Sequence, residues 1–386
     1  MKSEWRTVAL GSVADLTVGF VGTMASNYTE TGIPFLRSTN IEPFDIKFDD
    51  IKYISSNFNE SLRKSELHPN DVVIVRTGTP GACAVIPAGV KAWNCSDLVI
   101  VRPHRNKLNP LFLASYVNLA SGVINTQLVG AVQQHYNVGA AKKMQIPLPP
   151  IGEQDKIASI IGMLNKKITI NSKINDNLEQ QAAALFSSLY NRSNTEVRYT
   201  DLIQILGGGT PKTGETAYWN GNIAFFTPKD VGTPYTFITE KTITEEGLSH
   251  CNSRLYPVNT VFVTARGTVG KVGLSGVPMA MNQSCYALVG KEIHQLLVYF
   301  YTLKAVDRLK HKASGAVFDA ITTRDFDSEQ IMKLSDDNAK AFLYVAEPMF
   351  QEILNNSIEN LQLSTLRDFL LPKLMSGEID VSSVQL

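Results

Sequence analysis

The most regular pattern of apolar and polar positions along this chain is a seven-residue repeat in two long stretches. In the first stretch, from about residue 153 to residue 190, the repeated positions fall at alternating steps of four and three residues. They are Ile157, Ile161, Leu164, Ile168, Asn171, Asn175, Leu178, Ala182, Leu185 and Leu189. This spacing is typical of the seam of a coiled coil. It predicts a helix of about 38 residues, on the order of 57 Å long.

The second stretch, from about residue 336 to residue 375, repeats the first one 185 residues further along the chain. Its seam positions are Phe342, Ala346, Met349, Ile353, Asn356, Asn360, Leu363, Arg367, Leu370 and Leu374. Asn356 and Asn360 match Asn171 and Asn175. Because seam asparagines lower stability but fix register and orientation, we predict that these four residues set the register of two antiparallel helices. Two unrelated surface helices are the alternative, and they would not reproduce the asparagine pair at one offset.

Ahead of each predicted long helix, short β-rich runs alternate with short helical patterns. Several of these segments occur twice, in the same order, at offsets that fall slowly from 190 to 185 residues. The matched pairs are residues 33–41 with 223–231, 67–75 with 255–263, 78–81 with 267–270, 94–96 with 282–284, and 130–132 with 315–317. One such match means little, but five in order indicate a duplicated chain.

The predicted fold class is therefore α+β. Two similar mixed α/β domains are separated by two long antiparallel helices that form a coiled coil, and the internal repeat has pseudo-two-fold symmetry. The expected segments are a first mixed domain at residues 1–150 and a first spacer helix at residues 151–192. A second mixed domain follows at residues 193–335, and a second spacer helix with a C-terminal tail at residues 336–386.

Charge narrows the possible classes of protein. The 386 residues include 36 Lys and Arg and 36 Asp and Glu, so the net charge is zero. This balance excludes a histone-like or polybasic-tail protein, but it allows a local basic groove. Residues 1–190 hold 18 basic and 15 acidic residues, and residues 191–335 hold 15 and 13. Eight acidic residues fall in 336–386, so two mildly basic domains are offset by an acidic second helix.

The sequence contains no recognisable catalytic set. Residues 265–272 come closest to a phosphate-binding loop, but Ala265 replaces its first glycine and Val272 its metal-binding hydroxyl. The six histidines are scattered and the four cysteines lack a paired spacing, so free thiols are expected. No segment approaches the roughly 18 apolar residues of a membrane span, and no signal-peptide pattern is present. We expect a cytoplasmic, non-catalytic chain without metal, cofactor or membrane contact.

Two similar domains on a rigid spacer suit a ligand with two similar sites at a fixed separation. Double-stranded DNA is such a ligand, because its major groove returns to one face every ~34 Å. Polar turns after the predicted strands carry side chains that can reach bases or phosphates. The candidates are Arg76, Thr77, Thr79, Lys91, Asn94, Gln133, Gln134, His135, Asn137, Lys212, Thr213, Lys229, Arg266, Thr268, Lys271, Asn282 and Gln283. For any single candidate, a solvated turn is the alternative.

The segments at residues 146–154 (IPLPPIGEQ) and 370–379 (LLPKLMSGEI), with the doubled strand and Gly-Thr turn, carry a family resemblance. Over nearly its whole length, the chain resembles the specificity subunit of type I restriction–modification enzymes. The resemblance implies two target recognition domains, each reading one half of a split, asymmetric DNA sequence, with the two helices acting as a ruler.

The resemblance also implies partner subunits. Two methyltransferase subunits would dock on the helices, and restriction subunits would join through them. S-adenosylmethionine and adenine methylation would belong to the methyltransferase rather than to this chain. The Leu-Pro-Pro…Glu-Gln segment is degenerate in the second half, at residues 331–338, so unequal methyltransferase contacts are expected. Because weakly basic domains bind phosphate weakly, partners are also expected to supply part of the DNA clamp.

Three alternatives stay open at this point. The first is a non-catalytic coiled-coil scaffold that binds protein rather than DNA. The second is an orphan or decoy specificity subunit that lacks its partners. The third is an enzyme with an unrecognised site, which predicts turnover by the isolated chain.

Overall fold

The computed structural model describes residues 5–127, 137–232, 234–312, 320–382 and 384. It divides the chain into two compact units, the first formed by residues 1–169 and 361–386 and the second by residues 170–360. Both unit boundaries therefore fall inside the long helices that the heptad pattern predicts. Among the described residues, no helix combines the length and the hydropathy that a membrane span requires.

The first half of the chain contains thirteen of the described strands and four of the described helices. The strands are β1 (Arg6–Ala9), β2 (Ala14–Val18), β3 (Tyr28–Thr29), β4 (Ile33–Leu36), β5 (Ile41–Glu42), β6 (Asp45–Ile46), β7 (Lys52–Ile54), β8 (Glu66–Leu67), β9 (Val72–Val75), β10 (Cys83–Val85), β11 (Trp93–Cys95), β12 (Leu98–Pro103) and β13 (Gln145–Leu148). The helices are α1 (Ser56–Ser61), α2 (Pro110–Gln127), α3 (Val138–Lys143) and α4 (Ile151–Tyr190).

The second half continues with a similar series of elements. The strands are β14 (Thr195–Arg198), β15 (Ile203–Gly207), β16 (Trp219–Phe226), β17 (Tyr235–Thr236), β18 (Lys241–Ile243), β19 (Val261–Thr264), β20 (Val272–Ser275), β21 (Met279–Met281), β22 (Cys285–Gly290) and β23 (Gln330–Lys333). The helices are α5 (Tyr199–Leu202), α6 (Glu245–Ser249), α7 (Gln295–Lys312), α8 (Thr323–Asp327) and α9 (Asp336–Met375).

The two halves share one topology. The main sheet has the order β2-β12-β9-β10 in the first half and β15-β22-β19-β20 in the second, where β17 adds a parallel strand to β20. A smaller sheet contains β7-β4-β11 in the first half and β18-β16-β21 in the second, and its last pair is parallel in both. A two-stranded ribbon, β1 with β13 or β14 with β23, leads into the long helix. This repeat confirms the predicted fold class.

The central strands are apolar on both faces because each lies between two hydrophobic clusters. In β9, Val72 and Ile74 pack in the cluster that contains Phe112 of α2, whereas Val73 and Val75 pack on the opposite face with Leu36. All four strand residues are fully buried. Because side chains alternate across a strand, a continuous apolar run is what burial on both faces requires.

The strand register corrects two details of the sequence repeat. Asn70 and Asn259 both adopt left-handed backbone, with φ of 70° and 69°, immediately before the turn into β9 and β19. The true offset there is 189 residues, one more than the alignment of 67–75 with 255–263 assumes. The parallel pairs Cys95 with Leu36 and Met281 with Phe226 also align Asn94 with Ala280, not with Asn282.

In both units the long helices run antiparallel. In the second unit, Asn171 Nδ2 donates to Asn360 Oδ1 (3.0 Å) and to Glu359 Oε2 (2.7 Å), and Asn356 Nδ2 donates to Asn175 Oδ1 (3.0 Å). In the first unit, Arg367 Nη1 donates to Asn165 Oδ1 (3.0 Å). The asparagines thus lie where the heptad pattern places them, and they pair across the two helices.

At its C-terminal end, α4 departs from the predicted seam. Leu185 and Leu189 are only half-buried, whereas Phe186 and Tyr190 are buried. Phe186 packs against Phe300 of α7, with ring centroids 5.1 Å apart. Since this end of α4 contacts α7 as well as α9, its buried positions follow steps of four rather than the seam of a two-helix pair.

The first turn of α4 explains the Glu-Gln pair that precedes the heptads. Gln154 is fully buried, and its Nε2 donates to the carbonyls of Lys107 and Pro149 (both 2.9 Å) while its Oε1 accepts from Asn109 N (2.9 Å). Glu153 accepts a hydrogen bond from the Trp5 indole. These residues therefore anchor α4 to its own domain through contacts within this chain.

Candidate DNA interface

The hairpin turn between β19 and β20 presents two cations at its ends. Arg266 begins the turn and Lys271 closes it. The backbone is held by hydrogen bonds from Thr264 N to Lys271 O and from Gly270 N to Thr264 O, both 2.9 Å long. Gly267 and Gly270 have φ of 81° and 74°, a conformation that favours glycine. The turn therefore holds its two basic side chains on a defined backbone.

A cleft of about 700 Å³ opens beside this turn. Its walls come from the turn itself, the segment after β16, the start of β18 and the residue that follows β21. Five sequence-predicted residues line it: Lys229, Arg266, Thr268, Lys271 and Asn282. The structure thus brings together side chains that lie up to 53 positions apart in the sequence.

The cleft is lined by four cations and one carboxylate. Lys229 pairs with Glu240 (Nζ to Oε2, 3.6 Å), and Lys241 lies over the Trp219 ring, 5.6 Å from its centroid. Among the described residues, no carboxylate lies within 4 Å of the charged groups of Arg266 or Lys271. Both side chains are exposed. Arg266 and Lys271 therefore place exposed positive charge, without a carboxylate partner among the described residues, at the two ends of the turn.

Two polar side chains on the cleft wall are held in place. Thr268 Oγ1 donates to the Pro228 carbonyl (3.0 Å), and Asn282 Oδ1 accepts from Ser284 N (3.0 Å). Asn282 is half-buried and its side-chain amide has no hydrogen-bond acceptor among the described residues. That amide can donate to a ligand in the cleft.

The glycine-rich segment after β15 packs against the end of β21. A Cβ on Gly208 would come within 2.2 Å of the Asn282 carbonyl oxygen, so only glycine fits there. Thr210 Oγ1 donates to Gln283 Oε1, and Gln283 is exposed beside the cleft. Lys212 and Thr213 are exposed further along this loop, where the Lys212 carbonyl accepts from the Trp219 indole (3.1 Å). The glycines thus serve close packing.

The corresponding turn of the first half is neutralised by an acidic residue. Arg76 Nη1 lies 3.0 Å from Asp97 Oδ1, and Thr77 Oγ1 donates to Asp97 Oδ2 at 2.6 Å. Asp97 adopts a left-handed φ of 54°. Thr79 is exposed at the tip. The first turn therefore offers hydroxyl groups and a half-buried, paired guanidinium.

The structure separates three of the predicted residues from this turn. Asn94 is fully buried in β11, where its Nδ2 donates to Asn59 Oδ1 and the Leu62 carbonyl, and its Oδ1 accepts from Cys95 N. The prediction that Asn94 contacts DNA is therefore wrong. Lys91 is exposed in the loop after β10, at the end of that strand opposite the turn. Asn137 caps α3 by accepting from Ala140 N (2.8 Å).

Gln133, Gln134 and His135 lie outside the described residues, so their place relative to the first turn is not described. The matched segments 130–132 and 315–317 also lie outside them.

Sequence reasoning missed Lys241 on the cleft wall and Asp97 beside the first turn. The internal repeat could have revealed Lys241, because it pairs with Phe225 in the register that Lys52 has with Phe35. In the first half, however, Asp50 contacts both Lys52 (2.5 Å) and Arg37 (3.0 Å). These two cations hold the pKa of the Asp50 carboxyl below its usual value, Lys52 being the larger cause.

The described residues include no group of three or more His, Cys, Asp or Glu side chains placed to hold a metal ion. The four cysteines are free, and Cys83, Cys95 and Cys285 are buried. Burial raises the pKa of the Cys285 thiol to about 12 and the pKa values of the Cys83 and Cys95 thiols well above their ordinary value. These three thiols are therefore structural rather than nucleophilic.

Comparison with known proteins agrees with this architecture. The family model of the type I restriction modification DNA specificity domain matches residues 2–180 and 191–333, one match per half. A type I restriction enzyme MjaIX specificity subunit from Methanocaldococcus jannaschii is 32% identical over 124 residues, 31% of this chain and 29% of that protein. The putative MjaX specificity subunit of the same organism is 21% identical over 397 residues, covering 94% of this chain and 90% of the relative.

With MjaIX and two further curated specificity subunits, from Haemophilus influenzae and Escherichia coli, the match spans only 29–43% of the relative's length. A crystal structure of a type I restriction-modification system S subunit from M. genitalium has a TM-score of 0.59. It is 14% identical and covers 96% of both chains, so this likeness concerns the fold alone. The family model matches most of the chain, once in each half, and the chain therefore belongs to the type I restriction modification DNA specificity domain family.

Proposed function

We propose that this chain is the DNA sequence-recognition subunit of a type I restriction–modification complex. In this proposal each mixed domain reads one half of a bipartite, asymmetric site. Family membership supports DNA as the ligand. The observation that carries the proposal is the cleft beside the β19–β20 turn, where Arg266 and Lys271 present unpaired positive charge.

The cleft provides groups for both parts of DNA recognition. Arg266 can donate two parallel hydrogen bonds to a guanine edge in the major groove, and the Asn282 amide can donate to a base or phosphate oxygen. Lys229, Lys241 and Lys271 surround these groups and can contact phosphates, which position a protein on the duplex without reading sequence. A hairpin turn of this kind is narrow enough for the ~12 Å wide major groove.

The two halves carry different side chains at corresponding places, which supports different half-sites. In the register of the two hairpins, Thr77 stands where the second half has Arg266, and Ala82 where it has Lys271. A hydroxyl and an alanine cannot make the contacts of a guanidinium and an ammonium. The target is therefore expected to be asymmetric.

The long helices are proposed to set the distance between half-sites and to dock two methyltransferase subunits. Each carries large apolar side chains in contact with solvent: Met163 and Ile174 on α4, and Tyr344 and Phe369 on α9 are 53%, 41%, 84% and 60% exposed. Exposed apolar residues of this kind are typical of surfaces that a partner covers. Restriction subunits would join through the methyltransferases, which bring S-adenosylmethionine and the catalytic residues in a cytoplasmic complex.

The unequal docking that the degenerate second-half segment suggested has a different explanation. Gln154 and Glu153 are occupied inside the first unit, and Ala339 stands at the place of Gln154 in the second half. The departure from the motif thus changes how α9 is anchored to its own domain. Unequal methyltransferase contacts remain a proposal without support from this segment.

The test is purification of the chain with a cognate methyltransferase, followed by mapping of methylated adenines in DNA exposed to the complex. The expected result is methylation within one two-part sequence with a fixed, non-specific spacer. A protein-binding scaffold or a decoy subunit predicts no sequence-dependent methylation and no salt-dependent DNA affinity when the methyltransferase is present. Turnover by the isolated chain would instead identify an enzyme.

A further inference from the structure

A third exposed cation lies beside the second turn, on a different element. A Cβ on Gly270 would come within 2.6 Å of Lys310 Cε, 3.0 Å of Val306 Cγ1 and 3.4 Å of Lys310 Nζ. The absence of a side chain at Gly270 therefore lets the stem of Lys310, from α7, lie directly over the turn. We call Arg266, Lys271 and Lys310 the basic ridge.

Lys310 differs from the other cations at the end of α7 in being unpaired. Arg308 and Lys312 both contact the fully buried Glu329, at 2.8 and 2.5 Å, and Lys304 lies over the Tyr190 ring. No carboxylate of the described residues lies within 4 Å of Lys310, whose side chain is exposed. As far as the described residues show, Lys310 is thus the cation at this end of α7 that can meet an outside anion.

The first half has no counterpart of the basic ridge. Thr77 and Ala82 replace Arg266 and Lys271, and the helix that corresponds to α7 contains neither Lys nor Arg. Three first-half cations at the turn, or where the second half has Thr227 and Lys241, are paired. Arg76 pairs with Asp97, and Arg37 and Lys52 pair with Asp50. Among the described residues at the two turns, the cations without a carboxylate partner thus lie in the second half.

We propose that Lys271 and Lys310 of the basic ridge bind the DNA phosphate backbone beside the base contact of Arg266. They give the second half nearly all of the salt-dependent affinity, while the first half binds its half-site through neutral groups. This inference rests on the proposed function and deepens it. Each cation that neutralises a phosphate releases condensed counterions, so log Kd changes with log salt by about 0.9 per contact. DNA binding weakens as salt rises from 50 to 200 mM, and loss of one phosphate contact should make this weakening roughly 3-fold smaller.

The experiment measures Kd against salt concentration for the complex with methyltransferase on its own mapped duplex. Lys310→Gln and Lys271→Gln should each lower the slope by about 0.9. Lys291→Gln is the matched control, because Lys291 is an exposed lysine of the same domain at the opposite end of β22 from the turn. The slope of log Kd against log salt for Lys291→Gln should equal that of the wild type.

A second arm assigns the effect to one half-site. Uncharged methylphosphonate linkages placed in one half-site at a time should lower the wild-type slope in one half only. An equal decrease in both halves, or an unchanged slope for Lys310→Gln and Lys271→Gln, would overturn the phosphate-binding role proposed for the basic ridge. That result would stand even if the mapped site is bipartite. A complex that methylates no two-part site would instead overturn the proposed function, and the basic ridge with it.

Discussion

Asn171 of α4 donates a hydrogen bond to Asn360 of α9, although its equivalent in the sequence repeat is Asn356. Asn171 corresponds to Asn356 and Asn175 to Asn360, so antiparallel pairing brings the duplicated asparagine pair against itself. In this register the repeated asparagines form hydrogen bonds across the two helices, although the buried Asn171 Oδ1 has no partner among the described residues. A shift by one heptad would leave the amides facing apolar side chains. The asparagines thus select the register at some cost in stability.

Replacing one asparagine of the Asn175–Asn356 pair should therefore destabilise the second unit. In Asn356→Ala, the buried Asn175 loses its amide donor, and we expect the free energy of unfolding to fall by about 1–3 kcal/mol. The double variant Asn175→Leu with Asn356→Leu should recover at least the wild-type value, because both polar groups are then absent. Denaturant unfolding measures these differences. Asn355→Ala, on the exposed face, is the control, and a loss equal to that of Asn356→Ala would contradict the account.

Lengthening both helices by one heptad should lengthen the spacer in the DNA target. Seven residues inserted between Ile168 and Leu185, with seven more at the facing positions of α9, add about 10.5 Å at ~1.5 Å per residue. That distance corresponds to about 3 base pairs at ~3.4 Å each. Mapping methylated adenines would measure the change. Two-residue insertions, which turn the seam by about 200° to the opposite side of the helix, serve as the control. An unchanged spacer would show that the helices do not set it.

Removing the acid beside the first turn should give the first half a salt-dependent contact. In Asp97→Asn, Arg76 loses its ion-pair partner, while Thr77 keeps an oxygen that can accept its hydrogen bond. We expect the slope of log Kd against log salt to increase by about 0.9. The stability loss should stay within about 1 kcal/mol because the pair is partly exposed. Asp15→Asn is the control, because Asp15 is an exposed acid that pairs in the strand register with Arg102, at the end of β12 opposite the turn. The same increase there would refute a local effect.

Glu179 should make the second unit less stable at neutral pH than at acid pH. Burial, the larger cause, and the nearby Asp176 raise the pKa of the Glu179 carboxyl, although Tyr299 donates a hydrogen bond to it at 2.9 Å. In the unfolded chain the carboxyl ionises at lower pH, so its folding penalty appears as pH rises above that value. Glu179→Gln should therefore raise the free energy of unfolding at pH 7 and leave it nearly unchanged near pH 3. A larger increase in the free energy of unfolding at pH 3 than at pH 7 would contradict a raised pKa of the Glu179 carboxyl in the folded protein.

The sequence predicts the repeated architecture well because the heptads and the doubled hairpins are local patterns. The helix bounds found, 151–190 and 336–375, lie within two residues of those that the heptads predict. Phe186 and Tyr190 escaped prediction, because α7 is a packing partner that the heptad pattern does not include. The seam rule describes two helices alone, and it fails where a third element contacts them.

The site was predicted less completely, because availability for DNA depends on tertiary contacts. Arg266 and Arg76 look alike in sequence, yet one is exposed and unpaired among the described residues whereas the other contacts Asp97, twenty-one positions away. Asn94 matched Asn282 by residue type, but the strand register buries it. Lys310 lies on a helix far from the turn in sequence, and only its packing on Gly270 brings it there.

The claim that each domain reads its own half-site is tested most directly by the methylation map of Arg266→Ala. The variant is assembled with the cognate methyltransferase and compared with wild type on the same DNA library. Loss of a bidentate contact should reduce base discrimination by about 1–3 kcal/mol at one or two positions of one half-site, with the other half-site and the spacer unchanged. Relaxed discrimination spread evenly over both halves would contradict the account.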